Sequence, residues 1–308
     1  MRKKRLGKTN YYLSEIGLGT VQFGLDYGFN KKLDQDSVNE ILSCAKKQGI
    51  NFIDTASSYG DSEEKIGNYV SQNDNDFIIA TKLAKISPQD VENKESIKNI
   101  IYSSVELSLS NLKLDKLNLL QLHQADSYIT NSEYFWHAIS NLKSENLIDS
   151  FGISVYETKE TIKLVNEYRQ YIDFFQIPYN VFDRRFDDLV DTFKEFKIGI
   201  ISRSAFLKGV ITCREDSLPK ELFQLGEYKN KLNTLAKELE LGVDELVLQF
   251  VNSKDFISTT ILGINSVSEL QRNIDIIQGS KINNQLHELE QLKVTDIALI
   301  DPRNWTSL

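Results

Sequence analysis

The chain has 308 residues, of which 41% are hydrophobic and 26% are charged, as expected for a globular protein with a sizeable core. The formal net charge of -8 argues against a nucleic-acid partner, and no apolar run approaches the roughly 20 residues of a membrane span. The N-terminus is basic but lacks the apolar segment of a signal peptide. The two cysteines do not form a C-x-x-C pair. We therefore expect a cytoplasmic protein without a disulfide framework.

The first predicted element is a hairpin at residues 2–13, where short polar strands flank a Gly-Lys-Thr-Asn turn. Continuous apolar runs follow along the whole chain, and continuity rather than alternation is typical of parallel strands buried on both faces. Eight such runs occur, at residues 16–20, 52–55, 77–82, 117–123, 151–155, 174–177, 198–202 and 260–263.

Helical periods separate these runs. One helix is marked by Val38, Ile41, Leu42 and Ala45, at the spacing of a single apolar face. Eight strands alternating with helices predict one (β/α)8 TIM barrel domain over residues 1–308, with the N-terminal β-hairpin below it and an extra C-terminal helix. A doubly wound open sheet is the alternative, disfavoured by the count of eight.

Four reactive side chains stand at or just after the ends of three successive runs. Asp54 ends one run and Tyr59 lies in the loop after it, while Lys82 and His123 end the next two. Because the C-terminal ends of barrel strands meet at one mouth, these residues are predicted to share a cleft. A tyrosine hydroxyl, with a pKa near ~10 in water, can act as an acid when a lysine stabilises its phenolate. The set is suited to protonating a carbonyl oxygen as hydride reaches the carbon.

The segment Gly17-Leu-Gly-Thr-Val-Gln-Phe-Gly24 looks superficially like a dinucleotide-binding loop. Its spacing is wrong, and the acidic residue expected ~20 positions later is missing, so a Rossmann site is rejected. A phosphate site late in the barrel is the alternative, since the helix that begins after Gly263 offers free N–H groups. His137 and His287 are predicted to lie at the surface, and no metal site is expected.

The chain resembles the aldo/keto reductase family over nearly its whole length, from Arg2 to about Trp305. The most specific stretch is Gly49-Ile-Asn-Phe-Ile-Asp-Thr-Ala-Ser-Ser-Tyr-Gly-Asp-Ser-Glu63. It is followed in order by Thr81-Lys82, Leu122-His123, Phe151-Gly-Ile-Ser154, Gln176 and the segment 263–273. The resemblance implies reduction of an aldehyde or ketone, such as a sugar or sugar derivative, with Tyr59 as proton donor aided by Lys82, Asp54 and His123.

The resemblance also implies a nicotinamide cofactor, NADPH or less often NADH. Ser154 and Gln176 would hold the carboxamide, Gly19 and Thr20 would line the floor beside Asp54, and residues 204–209 would wrap the pyrophosphate. The other implied cofactor contacts are Arg203, Ser204, Phe206, Gly209, Arg214, Gly263, Asn265, Glu269, Arg272 and Asn273.

Four residues depart from the family pattern. Val155 stands where many relatives have Asn, and Arg203 stands where an aromatic residue usually stacks on the nicotinamide. A guanidinium can stack flat, but its charge would disfavour the oxidised ring. Glu269 would repel the 2′-phosphate of NADPH, and Arg272 could supply the missing positive charge. We therefore expect NADPH, with NADH as the alternative.

Two other functions fit the same barrel. One is a cofactor-binding regulatory subunit that senses redox state, and the other is an isomerase or lyase. Retention of all four catalytic residue types favours the enzyme, and the segment 263–273 would be superfluous in an isomerase. The long connection at residues 205–227 is expected to lie at the active-site mouth and to be functional. The short C-terminus after Trp305 predicts an open mouth and a small polar carbonyl substrate. No nucleic-acid or membrane partner is expected.

Overall fold

A computed structural model describes residues 1–26, 31–73, 76–213, 218–279, 282 and 286–306. The strands are β1 (Lys3–Arg5), β2 (Tyr12–Ser14), β3 (Ile16–Gly19), β4 (Phe52–Asp54), β5 (Ile78–Lys82), β6 (Leu117–Leu122), β7 (Ile148–Ser154), β8 (Phe174–Pro178), β9 (Gly199–Arg203) and β10 (Thr259–Gly263). The eight strands β3 to β10 are parallel and close into a barrel in the order β10-β3-β4-β5-β6-β7-β8-β9, and an antiparallel hairpin, β1-β2, precedes them. The predicted (β/α)8 barrel and hairpin are therefore confirmed.

Helices connect the strands, and their apolar faces pack on the barrel. In the helix Gln35–Lys47 the predicted apolar face is buried, and it consists of Val38, Ile41, Leu42 and Ala45. Within the described ranges the helices are α1 (Val21–Gly24), α2 (Gln35–Lys47), α3 (Ser62–Val70), α4 (Lys94–Leu112), α5 (Ser127–Thr130), α6 (Glu133–Ser144), α7 (Thr158–Tyr168), α8 (Val190–Glu195), α9 (Leu225–Glu238), α10 (Val243–Asn252), α11 (Val267–Gln278), α12 (Leu286–Glu290) and α13 (Ile297–Ile300).

The apolar core has two parts. The larger one lies between strands and helices. The smaller one fills the barrel interior, where Leu6 and Leu13 of the hairpin region join Phe52, Ala80, Leu119, Phe174, Ile201 and Ile261. Phe52 and Phe174 are the first residues of β4 and β8, so Leu6 and Leu13 close the N-terminal end of the barrel. The opposite end, at the C-terminal ends of the strands, is left for the site.

Strand boundaries differ slightly from the predicted runs. β7 begins at Ile148 rather than Phe151, because Ile148 pairs with Leu117 and Ser150 with Leu119. The polar residues Asp149 and Ser150 interrupt the apolar pattern but not the hydrogen-bonded ladder. In the part of the chain that is described, no helix combines the length and hydropathy needed to cross a bilayer.

Candidate active site

The four predicted catalytic side chains meet at the C-terminal mouth of the barrel. The Nζ atom of Lys82, at the end of β5, lies 2.7 Å from Oδ2 of Asp54, at the end of β4. The same Nζ lies 5.0 Å from the centroid of the Tyr59 ring. The rings of Tyr59 and His123 meet edge to face with centroids 5.9 Å apart. The arrangement thus combines a buried ion pair, a tyrosine and a histidine in one cleft.

Asp54 is the centre of a buried hydrogen-bond network. Its Oδ1 accepts from Nε2 of Gln121 at 3.0 Å and from Nε2 of Gln176 at 2.8 Å. Lys82 also donates to the backbone oxygen of Thr55 at 2.8 Å, which fixes the ammonium from a second side. Gln121 was missed by the sequence reasoning, although a single amide within the apolar run Leu-Leu-Gln-Leu was a usable signal.

The electrostatics of the cleft give Lys82 and His123 different charges. Burial opposes the ammonium of Lys82, but the Asp54 carboxylate and the Tyr59 hydroxyl outweigh it, so the pKa of Lys82 is raised. Burial lowers the pKa of His123 to about 4; the Lys82 and Arg203 charges add to this and Asp54 opposes it. At neutral pH the imidazole is therefore neutral beside a charged lysine.

Two glycines set the position of Tyr59. The backbone of Gly24 packs so closely that a Cβ there would lie 1.7 Å from the carbonyl oxygen of Tyr59. Gly60 has a φ of +57°, and a Cβ on it would lie 2.3 Å from the carbonyl oxygen of Gly24. Gly24 belongs to the glycine-rich segment that superficially looks like a dinucleotide-binding loop, but its close contact is with the loop that carries Tyr59. Neither glycine was singled out for this contact from sequence.

The residues predicted to line the floor lie around Asp54. Thr20 is fully buried, and its Oγ1 donates to the backbone oxygen of Asp54 at 3.0 Å. Gly19 pairs with Asp54 in the ladder between β3 and β4. Ser154 is buried opposite Gln176 in the register between β7 and β8. All of these residues stand at the mouth, and Thr20 and Gln176 also hold Asp54 in place.

The loop after β9 carries the residues predicted to wrap the pyrophosphate. Ser204 and Gly209 have φ values of +62° and +85°, and Phe206 between them is half-buried. No atom of the described residues lies within 4 Å of a Cβ built on Gly209, so its surface faces open space. Buried Lys229 holds the loop by donating to the carbonyl oxygens of Val210, Ile211 and Cys213 at 2.5, 2.9 and 2.9 Å. The predicted contact Arg214 lies outside the described residues.

The segment predicted to surround the adenosine end begins at Gly263, the exposed last residue of β10. Oε2 of Glu269 accepts from the backbone N of Asn265 at 2.8 Å and from its Nδ2 at 3.1 Å. The Oδ1 atom of Asn265 is buried without a hydrogen-bond partner in the described structure. Arg272 forms two bonds to Asp244 of α10, at 2.6 and 3.1 Å. Asn273 is buried on α11.

A chain of charged residues ties the C-terminal segment to the mouth. Arg185 donates to both oxygens of Asp183 at 2.9 Å and to Oδ2 of Asp301 at 3.1 Å. Arg303 in turn donates to both oxygens of Asp301 at 2.9 and 2.6 Å and to Glu157 at 2.7 Å. The network joins three segments that are far apart in sequence, at Glu157, at residues 183–185 and at residues 301–303, and it was not foreseen.

The ring of Tyr156, next to this network, makes cation–π contacts with two arginines. The guanidinium carbon of Arg203 lies 4.0 Å from the centroid of the Tyr156 ring, and that of Arg303 lies 3.8 Å from it. Two guanidiniums at these distances cannot share one face, so they occupy opposite faces. Arg203 also donates to the backbone oxygen of Val155 at 3.4 Å.

The part of the chain that the structure describes contains no cluster of three or more His, Cys, Asp or Glu side chains suited to a metal ion. His137 and His287 are exposed, away from the cleft, as predicted. The reactive side chains that meet in the cleft are Tyr59, Lys82, Asp54 and His123.

The sequence pattern described as the Aldo/keto reductase family matches residues 15–293. With the barrel described above, the match defines the class of the protein as an NAD(P)H-dependent oxidoreductase. The chain belongs to the aldo/keto reductase family.

Individual relatives cover nearly the whole chain. The "Uncharacterized oxidoreductase YqkF" of Bacillus subtilis (strain 168) is 28% identical over 301 residues, spanning 92% of this chain and 94% of the relative. The "Probable voltage-gated potassium channel subunit beta" of Arabidopsis thaliana is 24% identical over 315 residues, spanning 90% and 91%. The solved aldo-keto reductase AKR11C1 from Bacillus halodurans, in its holo form, shares the fold with a TM-score of 0.79 at 23% identity, covering 99% of this chain and all of that one.

Proposed function

We propose that the protein reduces an aldehyde or ketone to the alcohol, with Tyr59 as the proton donor. The observation that carries the proposal is the buried ion pair of Lys82 and Asp54, 2.7 Å apart, with the lysine Nζ 5.0 Å from the Tyr59 ring centroid. A fixed positive charge nearby stabilises the phenolate that is left when a tyrosine gives its proton to a substrate. Lys82 supplies that charge, and Asp54 keeps it in place.

Each side chain has a distinct part in the reduction. Tyr59 gives its hydroxyl proton to the carbonyl oxygen, and the phenolate that remains is stabilised by Lys82 until solvent returns a proton. Because the pKa of Lys82 is raised, the lysine stays charged through this cycle. His123, with a pKa of about 4, is neutral and can donate one hydrogen bond to the carbonyl oxygen, which orients the substrate. General acid catalysis of this kind contributes roughly 10²–10⁴-fold to the rate.

The residues around the mouth fit a nicotinamide dinucleotide, which when bound supplies the hydride. Two features support this fit: the buried Oδ1 of Asn265 has no partner among described residues, and Gly209 borders open space. At the nicotinamide end the proposed contacts are Gly19, Thr20, Ser154, Gln176 and Arg203. Along the pyrophosphate and the adenosine end they are Ser204, Phe206, Gly209, Arg214, Gly263, Asn265, Glu269, Arg272 and Asn273.

NADPH is the proposed cofactor, and NADH is the alternative. Glu269 brings a carboxylate to the N-terminus of α11, partly offset by the two N–H groups that Asn265 donates to it. Arg272, the cation expected to compensate, is already paired with Asp244. Both observations reduce the binding free energy that a 2′-phosphate would add, so we expect only a small difference in Kd between NADPH and NADH.

The test is turnover of reduced nicotinamide with a panel of sugars, aldehydes and ketones, in wild type and in Tyr59→Phe. The substitution removes the proton and keeps the ring, so the rate should fall roughly 10²–10⁴-fold while cofactor still binds. Tyr12→Phe is the matched control, because Tyr12 is 54% exposed on the hairpin at the other end of the barrel. Activity of Tyr59→Phe within a few-fold of wild type would refute the role of Tyr59.

A redox-sensing regulatory subunit is the second candidate, favoured by the likeness to the potassium channel subunit of Arabidopsis thaliana. Such a protein would bind the cofactor tightly and turn it over slowly or not at all. The same panel separates the two functions, because a reductase has at least one substrate for which turnover depends on Tyr59.

A further inference from the structure

We propose that Gln121 is a positioning residue for the reduction: its amide holds the Asp54 carboxylate so that Lys82 stays directed at Tyr59. This role rests on the proposed reductase function and adds to it a side chain that acts only through Asp54. It also distinguishes Gln121 from Gln176, which donates to the same carboxylate but is in addition a proposed cofactor contact.

Gln121 belongs to a polar layer at the C-terminal end of the barrel interior. It reaches Asp54 from β6, and Gln176 reaches the same carboxylate from β8. Side chains of alternate strands form such layers in a barrel of this kind, and residues two positions apart on a strand point the same way. The layer beneath is apolar and consists of the residues two positions earlier on β4, β6 and β8, namely Phe52, Leu119 and Phe174. Packing inside the barrel therefore does not by itself call for an amide at position 121.

The amide of Gln121 is only half satisfied. Its Nε2 donates to Oδ1 of Asp54 at 3.0 Å, whereas its Oε1 is buried without a hydrogen-bond partner among the described residues. The whole side chain is buried, at 0% exposure. A buried amide oxygen without a partner destabilises a fold, and an apolar side chain of the same shape avoids that penalty. The benefit of the amide therefore lies in its bond to Asp54, at the site rather than in the core.

The carboxylate of Asp54 is held by both of its oxygens. Gln121 and Gln176 donate to Oδ1 at 3.0 and 2.8 Å, and Lys82 donates to Oδ2 at 2.7 Å. Donors on both oxygens fix the plane of the carboxylate, so Oδ2 stays directed at the ammonium. Without Gln121 the carboxylate is held less firmly, and less of its negative charge is neutralised. Both changes disfavour a phenolate on Tyr59, because the ammonium is less fixed and the negative potential in the cleft is larger.

The first test is Gln121→Met, which removes the amide and keeps the length of the side chain. We expect kcat to fall at least about 10-fold, as for loss of one hydrogen bond to a charged group, while Kd for NADPH stays within about twofold of wild type. The tyrosine step of the pH–rate profile should move to higher pH. Leu119→Met is the matched control, because Leu119 is equally buried on the same face of β6, one layer lower. It should keep kcat and the pH–rate profile of wild type, and the two variants should have similar thermal unfolding midpoints.

The second test is Gln121→Glu, which nearly preserves the shape of the side chain. The introduced carboxyl group can donate to Asp54 only in its neutral form, and once ionised it repels that carboxylate. The ratio of its kcat to that of wild type should therefore be highest at low pH and fall as the pH rises. The other titratable groups of the cleft, Lys82, Tyr59 and His123, are present in both proteins, so their own titration contributes to both members of the ratio.

Wild-type kcat with an unchanged pH–rate profile in folded Gln121→Met would overturn the proposal. If Gln121→Met does not fold, a ratio for Gln121→Glu that is independent of pH would overturn it instead. Equal losses of kcat, cofactor binding and thermal stability would show that Gln121 is merely structural. Absence of carbonyl turnover by wild type would refute the reductase function, whereas equal turnover by wild type and Gln121→Met would refute only the role of Gln121.

Discussion

Replacing Gly24 by alanine should disable the site without touching any catalytic side chain. The added Cβ would lie 1.7 Å from the carbonyl oxygen of Tyr59, whereas real Cβ atoms keep at least 3.0 Å from their neighbours. The two backbone segments must therefore separate by at least about 1.3 Å, and no side-chain rotation can relieve the clash. Since a misplacement of about 1 Å at a catalytic group can cost 10²-fold in rate, we expect kcat of Gly24→Ala to fall on the order of 100-fold.

The assay is steady-state reduction of the best carbonyl substrate, together with cofactor titration and thermal unfolding. Gly279→Ala is the matched control, since its Cβ would lie 3.0 Å from the nearest atom, at the end of α11. We expect Gly279→Ala to keep kcat within a few-fold of wild type. If Gly24→Ala folds and keeps wild-type kcat, the Gly24 contact does not set the position of Tyr59.

Four further outcomes are expected. Lys82→Met should abolish most activity and move the tyrosine step of any residual pH–rate profile to higher pH. It should also lower the free energy of unfolding by about 3–5 kcal/mol, because Asp54 keeps a buried charge without its partner. An unchanged pH–rate profile at full rate would show that Lys82 is only structural. Phe174→Ala, in the barrel interior, should lower the free energy of unfolding by about 3–5 kcal/mol in denaturant titrations and leave the pH profile unchanged. Glu269→Gln should lower Kd for NADPH and not for NADH, and an equal response would place Glu269 away from the 2′ position. The pKa of His123 is about 4 in the folded protein and near 6.5 in the unfolded chain, so the unfolded chain binds the proton first as the pH falls. The free energy of unfolding should therefore be constant above pH ~6.5 and decrease by on the order of 3 kcal/mol as the pH falls towards ~4. In His123→Gln this pH dependence should be flatter, as measured by unfolding titrations.

The barrel could be predicted from sequence because its strands are buried on both faces and so read as continuous apolar runs. The start of β7 could not be predicted from hydropathy. Asp149 and Ser150 are polar, yet they belong to the strand because of backbone hydrogen bonds, which do not depend on side-chain hydropathy. The grouping of Asp54, Lys82 and His123 was equally accessible, since the ends of parallel strands have a fixed relation once the barrel is assumed.

What the sequence could not give were contacts between distant segments that follow no period. Asp301 meets Arg185 across more than a hundred residues, and Arg203 meets Tyr156 through the orientation of a long side chain. The sequence shows Gly24 as a glycine shortly after the first predicted barrel strand, but it does not show that Gly24 contacts the loop that carries Tyr59. The roles of the proposed cofactor contacts stay predictions.

The plug formed by Leu6 and Leu13 has a practical consequence for protein engineering. Packing at that end and reactive groups at the other are separated by the full depth of the barrel interior. A library of substitutions in the hairpin can therefore be screened for heat tolerance alone, and the gains should carry over to variants remodelled at the mouth. Coupling between two such libraries should be small, because free energies of distant, non-contacting sites usually add.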